Sequence, residues 1–426
     1  MHKIGKEMYS LMKRLFPICR SITGNGVRET LKIISEYIPI NNTEIPTGTK
    51  VFDWKIPYEW NIKDAYIKNS KDEKIVDFKE NNLHVVGYSA PFNGKINLEE
   101  LEDHLYSLPD QPDLIPYVTS YYKKRWGFCV SENMRKQLKD GVYEVKIDST
   151  LSPGSLTYAD MVINGKSKKE ILITTYICHP SLANNELSGP VVATSLAKYL
   201  IERKNNYYTY RFIFAPETIG AITYLSTHLE YLKKNVIAGY VLTCIGDSGQ
   251  FSYLQSRKED TLVDRATMHV LNNTEKEYKL YDFLSRGSDE RQYGSPGIDL
   301  PVGSLMRTKY GEYPEYHTSG DNMDIINPVE LEKSLDKLKL CIDVIENNRF
   351  YKTTVLCEPQ LGKRGLYPTI STKTSTVDVK TMMNILAYCD GQNDLLWIAE
   401  KIGKPIMELF PIVEILFQNK LLKIIN

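Results

Sequence analysis

Three short segments of this chain carry residues that could hold a metal ion or move a proton. The first is Tyr176-Ile177-Cys178-His179-Pro180-Ser181-Leu182-Ala183-Asn184-Asn185-Glu186-Leu187-Ser188-Gly189. It puts an imidazole and a carboxylate a few residues apart, and these are donors that suit zinc. The second is Phe214-Ala215-Pro216-Glu217-Thr218-Ile219-Gly220, whose carboxylate could serve as general base toward a metal-activated water. The third, Glu312-Tyr313-Pro314-Glu315-Tyr316-His317-Thr318-Ser319-Gly320-Asp321-Asn322, offers a second imidazole among polar partners. Beside them, Arg286-Gly287-Ser288-Asp289-Glu290-Arg291 could bind the polar ends of a substrate. Taken singly, each segment has a plainer explanation. Asn and Glu cap helices, a Glu favours a helix N-terminus, a loop His is commonly solvated, and Asp289 with Arg291 could be a surface ion pair.

The elements around these segments make the combination informative. Glu170–Tyr176 is a short apolar run of the buried-strand kind, and 190–203 reads as a helix. Strand 210–214, helix 219–234 and strand 238–244 follow. Alternation of this kind predicts a mostly parallel, doubly wound α/β sheet. Active sites in such sheets sit on loops beyond the carboxyl ends of the strands, where all three segments fall. Residues 5–38 read as helical with a break at Pro17, and 328–350 as a long amphipathic helix. The stretch 46–149 has a different grammar, rich in aromatics and short alternating runs such as 83–88 and 142–147, and reads as a small β-rich insert domain. A linker over 357–375 precedes helices at 377–389, 394–402 and 405–419 and a strand at 421–425, the order of a winged helix. The expected organisation is a catalytic domain over 1–45 and 150–352, the insert over 46–149, and a winged-helix domain over 357–426.

Composition narrows the function classes. A chain of 426 residues exceeds one compact core. Lys+Arg and Asp+Glu both number 53, so the basic excess usual in nucleic-acid binders is missing. The 7 cysteines include no CxxC pair and fit reduced thiols. No apolar run is long enough to span a bilayer and the start has no apolar segment, so a cytoplasmic protein is expected.

The stretches His179–Gly189, Pro216–Gly220, Gly287–Arg291 and Tyr316–Asp321, in this order on this sheet, resemble the M28-like zinc aminopeptidases. They resemble still more the prokaryotic aminopeptidase-like proteins, once a domain of unknown function, that carry a β insert and a C-terminal winged helix. The resemblance covers nearly the whole chain. It implies that His179 and His317 are the two imidazole ligands and that Glu217 is the base. At other positions the pattern is broken. The family's bridging Asp falls on Asn185, its second Glu on Thr218, and a further Asp on Thr243, with Asp247 four residues on. Two divalent cations need that negative charge, so a single zinc ion per chain is expected. Its ligands would be His179, Glu186 and His317, with Asn185 and Asp247 as alternatives to Glu186.

The function this implies is zinc-dependent amide hydrolysis, with Asp289, Arg291 and Tyr316 orienting the substrate. That substrate would be a small peptide or an aminoacyl or amino-sugar amide, since relatives occur with polysaccharide functions. Three other readings stay open: a winged-helix regulator with a degenerate enzyme domain, a zinc acyl transferase or cyclase on the same fold, and a pseudoenzyme without metal. Helix 405–419 is flanked by Lys404 and Lys420 but is otherwise mainly apolar. A groove-reading helix would show basic and amide side chains, so a protein partner or self-association fits this module better.

Overall fold

Glu170–Tyr176 is buried at every position, as a strand covered on both faces must be. So is Thr209–Ala215, which pairs with it in parallel. Val236–Val241 adds in parallel on the other side, and Val302–Met306 beyond that. Helices Ser188–Arg203 and Ile219–Asn235 connect the first three of these strands in sequence. Antiparallel additions widen the sheet. Ser155–Ile163 joins Thr209–Ala215, and Asn41–Pro46 joins Ser155–Ile163. Ser252–Leu254 runs antiparallel to Val302–Met306 and parallel to Lys279–Tyr281. The result is an eight-stranded mixed sheet whose four central strands are parallel, the α/β architecture expected from the sequence. This computed structural model describes residues 2–366 and 375–425.

One charged cluster is built into the sheet. Arg211 donates from Nε and Nη2 to Glu170 at 2.7 and 3.0 Å and from Nη1 to the Tyr224 hydroxyl at 2.9 Å. Glu170 is fully buried. Removing one member of a buried pair leaves the other charge uncompensated, which costs about 3–5 kcal/mol. Arg211→Met is expected to lower the unfolding free energy by that amount, read from the midpoint shift in urea.

Residues between strands Asn41–Pro46 and Ser155–Ile163 form a second, antiparallel sheet. Its order is Lys74–Asp77, Glu59–Lys68, Val142–Ser152, Phe92–Asn97. Its buried Trp60 and Val145 belong to the same apolar cluster as Tyr158, Leu172 and Ile213 of the large sheet. The alternating run 83–88 is a 3-10 turn over Asn82–His84 followed by isolated β-bridges from Val85 to Phe128 and from Gly87 to Thr119. The Asn81 side chain accepts the Leu83 N–H and starts that turn, which an apolar alternation cannot reveal.

The chain divides into two compact units, Met1–Val263 with Glu277–Asp336, and Asp264–Lys276 with Lys337–Asn426. Within the second, Phe350–Thr353 pairs antiparallel with both Asp390–Asp394 and Leu422–Ile425. Helix Leu395–Ile402 is capped by Asp394, whose side chain accepts the Trp397 N–H. Helix Ile406–Gln418 follows. Two of these strands have no signal in the sequence. Asp390–Asp394 contains no apolar residue, and Phe350–Thr353 follows a helix that reads as continuing to 350. The first helix of the module spans Ser375–Tyr388; of the expected linker, 367–374 lie outside the described residues. All seven cysteines are free, and no helix among the described residues is long and apolar enough to cross a membrane.

Candidate active site

The chemistry-bearing loops leave the carboxyl ends of central strands. His179 follows Tyr176, Glu217 follows Ala215, and the His317 loop follows Met306. Left-handed backbone marks each loop. Ser181 has φ 39°, Thr218 63°, Cys244 47° and His317 56°. For non-glycine residues such conformations cost of order 1–3 kcal/mol and persist where the surroundings over-determine them.

Those surroundings are identifiable. Asp321 accepts from the backbone N–H groups of Ala183, Asn184 and Asn185 at 3.1, 2.6 and 2.9 Å, and from the Tyr313 hydroxyl at 2.9 Å. It thereby ties the His317 loop to the turn that bears Asn185 and Glu186. At Thr218, the N–H donates to Asp289 Oδ1 at 2.7 Å and Oγ1 accepts from Arg291 Nη2 at 2.6 Å. The His317 carbonyl accepts from Tyr117 N–H at 2.8 Å, and Tyr316 stacks on the His317 ring at 3.9 Å.

His179, Glu186, Glu217 and His317 converge. His179 Nδ1 lies 2.5 Å from Glu186 Oε2. A carboxylate can only accept, so it fixes the proton on Nδ1 and leaves Nε2 free. Nε2 is 3.7 Å from Glu217 Oε2. The His179 and His317 rings are 5.4 Å apart. Glu217 accepts the Ser288 hydroxyl on Oε1 at 3.0 Å, and its side chain keeps 22% exposure, enough for a substrate to reach.

Electrostatics distinguish the members. Burial opposes the His179 imidazolium, but Glu186 and Glu217 lift its pKa above the ordinary value. Burial and the His179 charge push His317 down to about 3, so its ring is neutral. Loss of solvent raises Glu217, against the pull of His179 and Arg291. Burial raises Asp321 to about 6 despite its backbone donors.

Two residues expected at the metal and at the substrate have protein partners. Glu186 Oε2 is engaged by His179 Nδ1 and its Oε1 lies 3.7 Å from the buried Arg20 guanidinium, while Glu186 also belongs to a group with Cys178 and His179 whose ligand atoms lie within 4.8 Å of one another. Asp289 was expected to contact substrate, but it is 1% exposed and its Oδ1 is used by the Thr218 N–H. It fixes the Thr218 turn. Of the alternatives to Glu186, Asp247 is engaged by Asn184, Gly249 and Thr308. Asn185 Nδ2 donates to the Tyr176 hydroxyl, while its Oδ1 is buried without a partner.

Three residues were not foreseen. Arg20 donates from Nε to the His179 carbonyl at 3.0 Å and from Nη1 to that of Leu15 at 2.7 Å. The Tyr117 ring lies 5.0 Å from that of His179 and 5.1 Å from that of His317. Cys178 brings its sulfur into a group with His179 and Glu186 whose ligand atoms lie within 4.8 Å of one another. Burial, with Glu186 and Glu217 nearby, raises the Cys178 thiol well above its usual range. Its sulfur accepts the Glu217 N–H at 3.2 Å, a hydrogen-bonding role rather than the thiolate a metal needs. A cavity of about 310 Å³ opens beside Glu217, walled by Ile22, Trp54, Tyr121, Tyr122, Ile219 and Arg291.

Known proteins share the fold and the family of this chain. A family model described as a domain of unknown function, DUF4910, matches residues 9–348, and a winged helix-turn-helix model matches 349–424. A Clostridium acetobutylicum protein, named for polysaccharide biosynthesis and an aminopeptidase-like domain, is 49% identical over 423 residues, 99% of this chain and 97% of its own. A crystal structure from that species, described as a peptidase, superposes with a TM-score of 0.94 at 48% identity, over 100% of this chain and 97% of that one. A zinc aminopeptidase from Bacillus subtilis shares the fold, with a TM-score of 0.59 at 12% identity over 80% of this chain and 94% of its own.

Proposed function

Because the chain belongs to the DUF4910 family and has the zinc aminopeptidase fold, we propose that it is a metal-dependent hydrolase cleaving amide bonds at His179, Glu217 and His317. The observation that carries this reading is the carboxylate of Glu217 facing Nε2 of His179, the nitrogen that Glu186 leaves free.

The donors gathered here are of the type zinc takes, two imidazoles with the carboxylates of Glu186 and Glu217 beside them. An imidazole whose far N–H is held by a carboxylate is the usual arrangement of a zinc ligand, and His317 offers a second ring that makes no hydrogen bond to the described residues. His179 through Nε2 and His317 would hold one ion per chain, which when bound would acidify a water and polarise the scissile carbonyl. Glu217 takes the proton of the attacking water at Oε2 and delivers it to the leaving amine, while Ser288 keeps Oε1 in place. Tyr316, stacked on His317, supplies a hydroxyl for the oxyanion.

A second ion is disfavoured. Thr218 Oγ1 is bonded to the Arg291 guanidinium, a fixed cation where a bimetallic site has a carboxylate. Thr243 Oγ1 donates to the Asn185 carbonyl. Glu186→Gln is expected to weaken zinc affinity about 10–100-fold, measured by competition with a chromophoric chelator.

The winged-helix domain is assigned to protein contact or self-association. Helix Ile406–Gln418 contains Glu408 and Glu414 and no Lys or Arg, and exposes Ile415 and Phe417, a poor surface for phosphates.

The test is to incubate the zinc-loaded chain with aminoacyl anilides and N-acylated amino sugars and weigh the products. Cleavage with uptake of one water is expected. Ring closure without water uptake would replace hydrolysis by cyclisation, and a zinc-loaded chain inert toward both classes would defeat the proposal.

A further inference from the structure

Arg291 differs from three other partly or fully buried arginines of this unit. Arg20 has Glu186 at 3.7 Å, Arg28 has Glu59 at 2.7 Å, and Arg211 has Glu170 at 2.7 Å. Arg291 has no ion pair among the described residues. Its one side-chain hydrogen bond is Nη2 to Thr218 Oγ1, and its Nε is buried without a partner. Its charge acts on Glu217 and Asp289 through space, yet it pairs with neither. Leaving a guanidinium with unmet donors in a low-dielectric wall is costly unless something fills it.

What surrounds Arg291 indicates the missing partner. It lines the same cavity of about 310 Å³ as Glu217 and His179, together with Ile22, Trp54, Tyr121, Tyr122 and Ile219. That volume is at the small end of ligand pockets, which run about 300–1,000 Å³, so it takes a unit of one residue or one sugar ring. Arginine's planar fork matches a carboxylate with two parallel hydrogen bonds. Trp54 and Tyr122 keep 39% and 55% of their surface exposed and pack edge to face at 5.8 Å. They present an aromatic wall to the apolar face of such a unit.

We propose that this cavity is a specificity subsite for a carboxylate-bearing unit next to the scissile amide, with Arg291 as the residue that binds the carboxylate. The assignment rests on the hydrolase reading for the position of the scissile bond, but anion binding can be measured without turnover. Two sources share the chemistry: an acidic amino acid and an acidic amino sugar.

The experiment titrates the zinc-loaded chain calorimetrically with two matched pairs, each differing by one carboxylate turned into an amide: N-acetylglutamate α-amide against N-acetylglutamine α-amide, and N-acetylmuramate against its lactyl amide. The acid of at least one pair is expected to bind roughly 10–100-fold tighter than its neutral partner, as charge-assisted bonds would give. Which pair shows the gap identifies the source. Arg291→Gln is expected to close the gap. Arg291→Lys, which keeps the charge but not the fork, should leave a smaller one and serves if the glutamine variant does not fold. Equal binding of acid and neutral partner in the wild type, or a gap that survives Arg291→Gln, overturns the subsite. An acid preference without amide cleavage defeats only the hydrolase reading, and cleavage without acid preference defeats only the subsite.

Discussion

Glu217→Gln is expected to lower kcat by about 10²–10⁴-fold, the range for loss of a positioned general base, while zinc content stays at the wild-type level. Glutamine keeps the length of the side chain and an oxygen for the Ser288 hydroxyl, so the Glu217 backbone and its bond to Cys178 Sγ have no reason to move. What it removes is the acceptor at Oε2 that faces His179 Nε2 at 3.7 Å. KM should change far less than kcat, because the proton moves only in the transition state. The check is steady-state kinetics beside metal analysis on the same preparation. An equal loss of zinc and activity would make Glu217 a ligand rather than a base. Unchanged kcat would remove it from the chemistry altogether.

The contrast between Glu217 and Glu186 shows where sequence reading stopped. Both stand in loops after buried strands, and both have the right residue type for a zinc site. Glu186 was read as a ligand because it follows Asn185, where the family's carboxylate is lost. Which nitrogen of His179 it reaches is set by the turn over Ala183–Leu187 and by Asp321 gripping three backbone N–H groups of that turn. Asp321 is 136 residues from Asn185 along the chain, and no local pattern announces such a grip. The central strands, by contrast, are legible because burial on both faces demands continuous apolar runs. Glu170–Tyr176 needs nothing beyond its own seven residues to be recognised.

Arg20 and Tyr117 make the same point from the other direction. Arg20 follows the first helix, and Tyr117 lies between the strands of the smaller sheet, yet both end against His179. Their residue types are ordinary and their neighbours carry no motif. Only the closing of the chain makes them part of the site. The left-handed backbone at Thr218 and His317 was equally hidden. A β-branched threonine with positive φ contradicts its own local preference, and such contradictions are expected where function rather than propensity sets the conformation.

The two histidines should behave differently when removed, and the difference follows from their partners. His317→Asn is expected to abolish zinc retention after dialysis, from about one ion per chain to none, with little effect on the melting point of the metal-free chain. The His317 ring is neutral and makes no hydrogen bond to the described residues, so no ion pair is lost. Asparagine also accepts left-handed backbone, which His317 adopts at φ 56°. His179→Ala should abolish zinc retention as well, but it also strips Glu186 of the donor at 2.5 Å. Glu186 is fully buried, and its remaining cationic neighbour, Arg20, is 3.7 Å away. An under-compensated buried carboxylate destabilises the fold, so this variant should melt well below wild type even without metal. Plasma mass spectrometry gives the zinc content, and thermal melts with and without added zinc give the rest. Zinc should raise the wild-type midpoint through binding to the folded state and leave both variants unmoved. Full zinc retention by His317→Asn would confine the ion to the His179 side and reopen the group that Cys178 forms with His179 and Glu186.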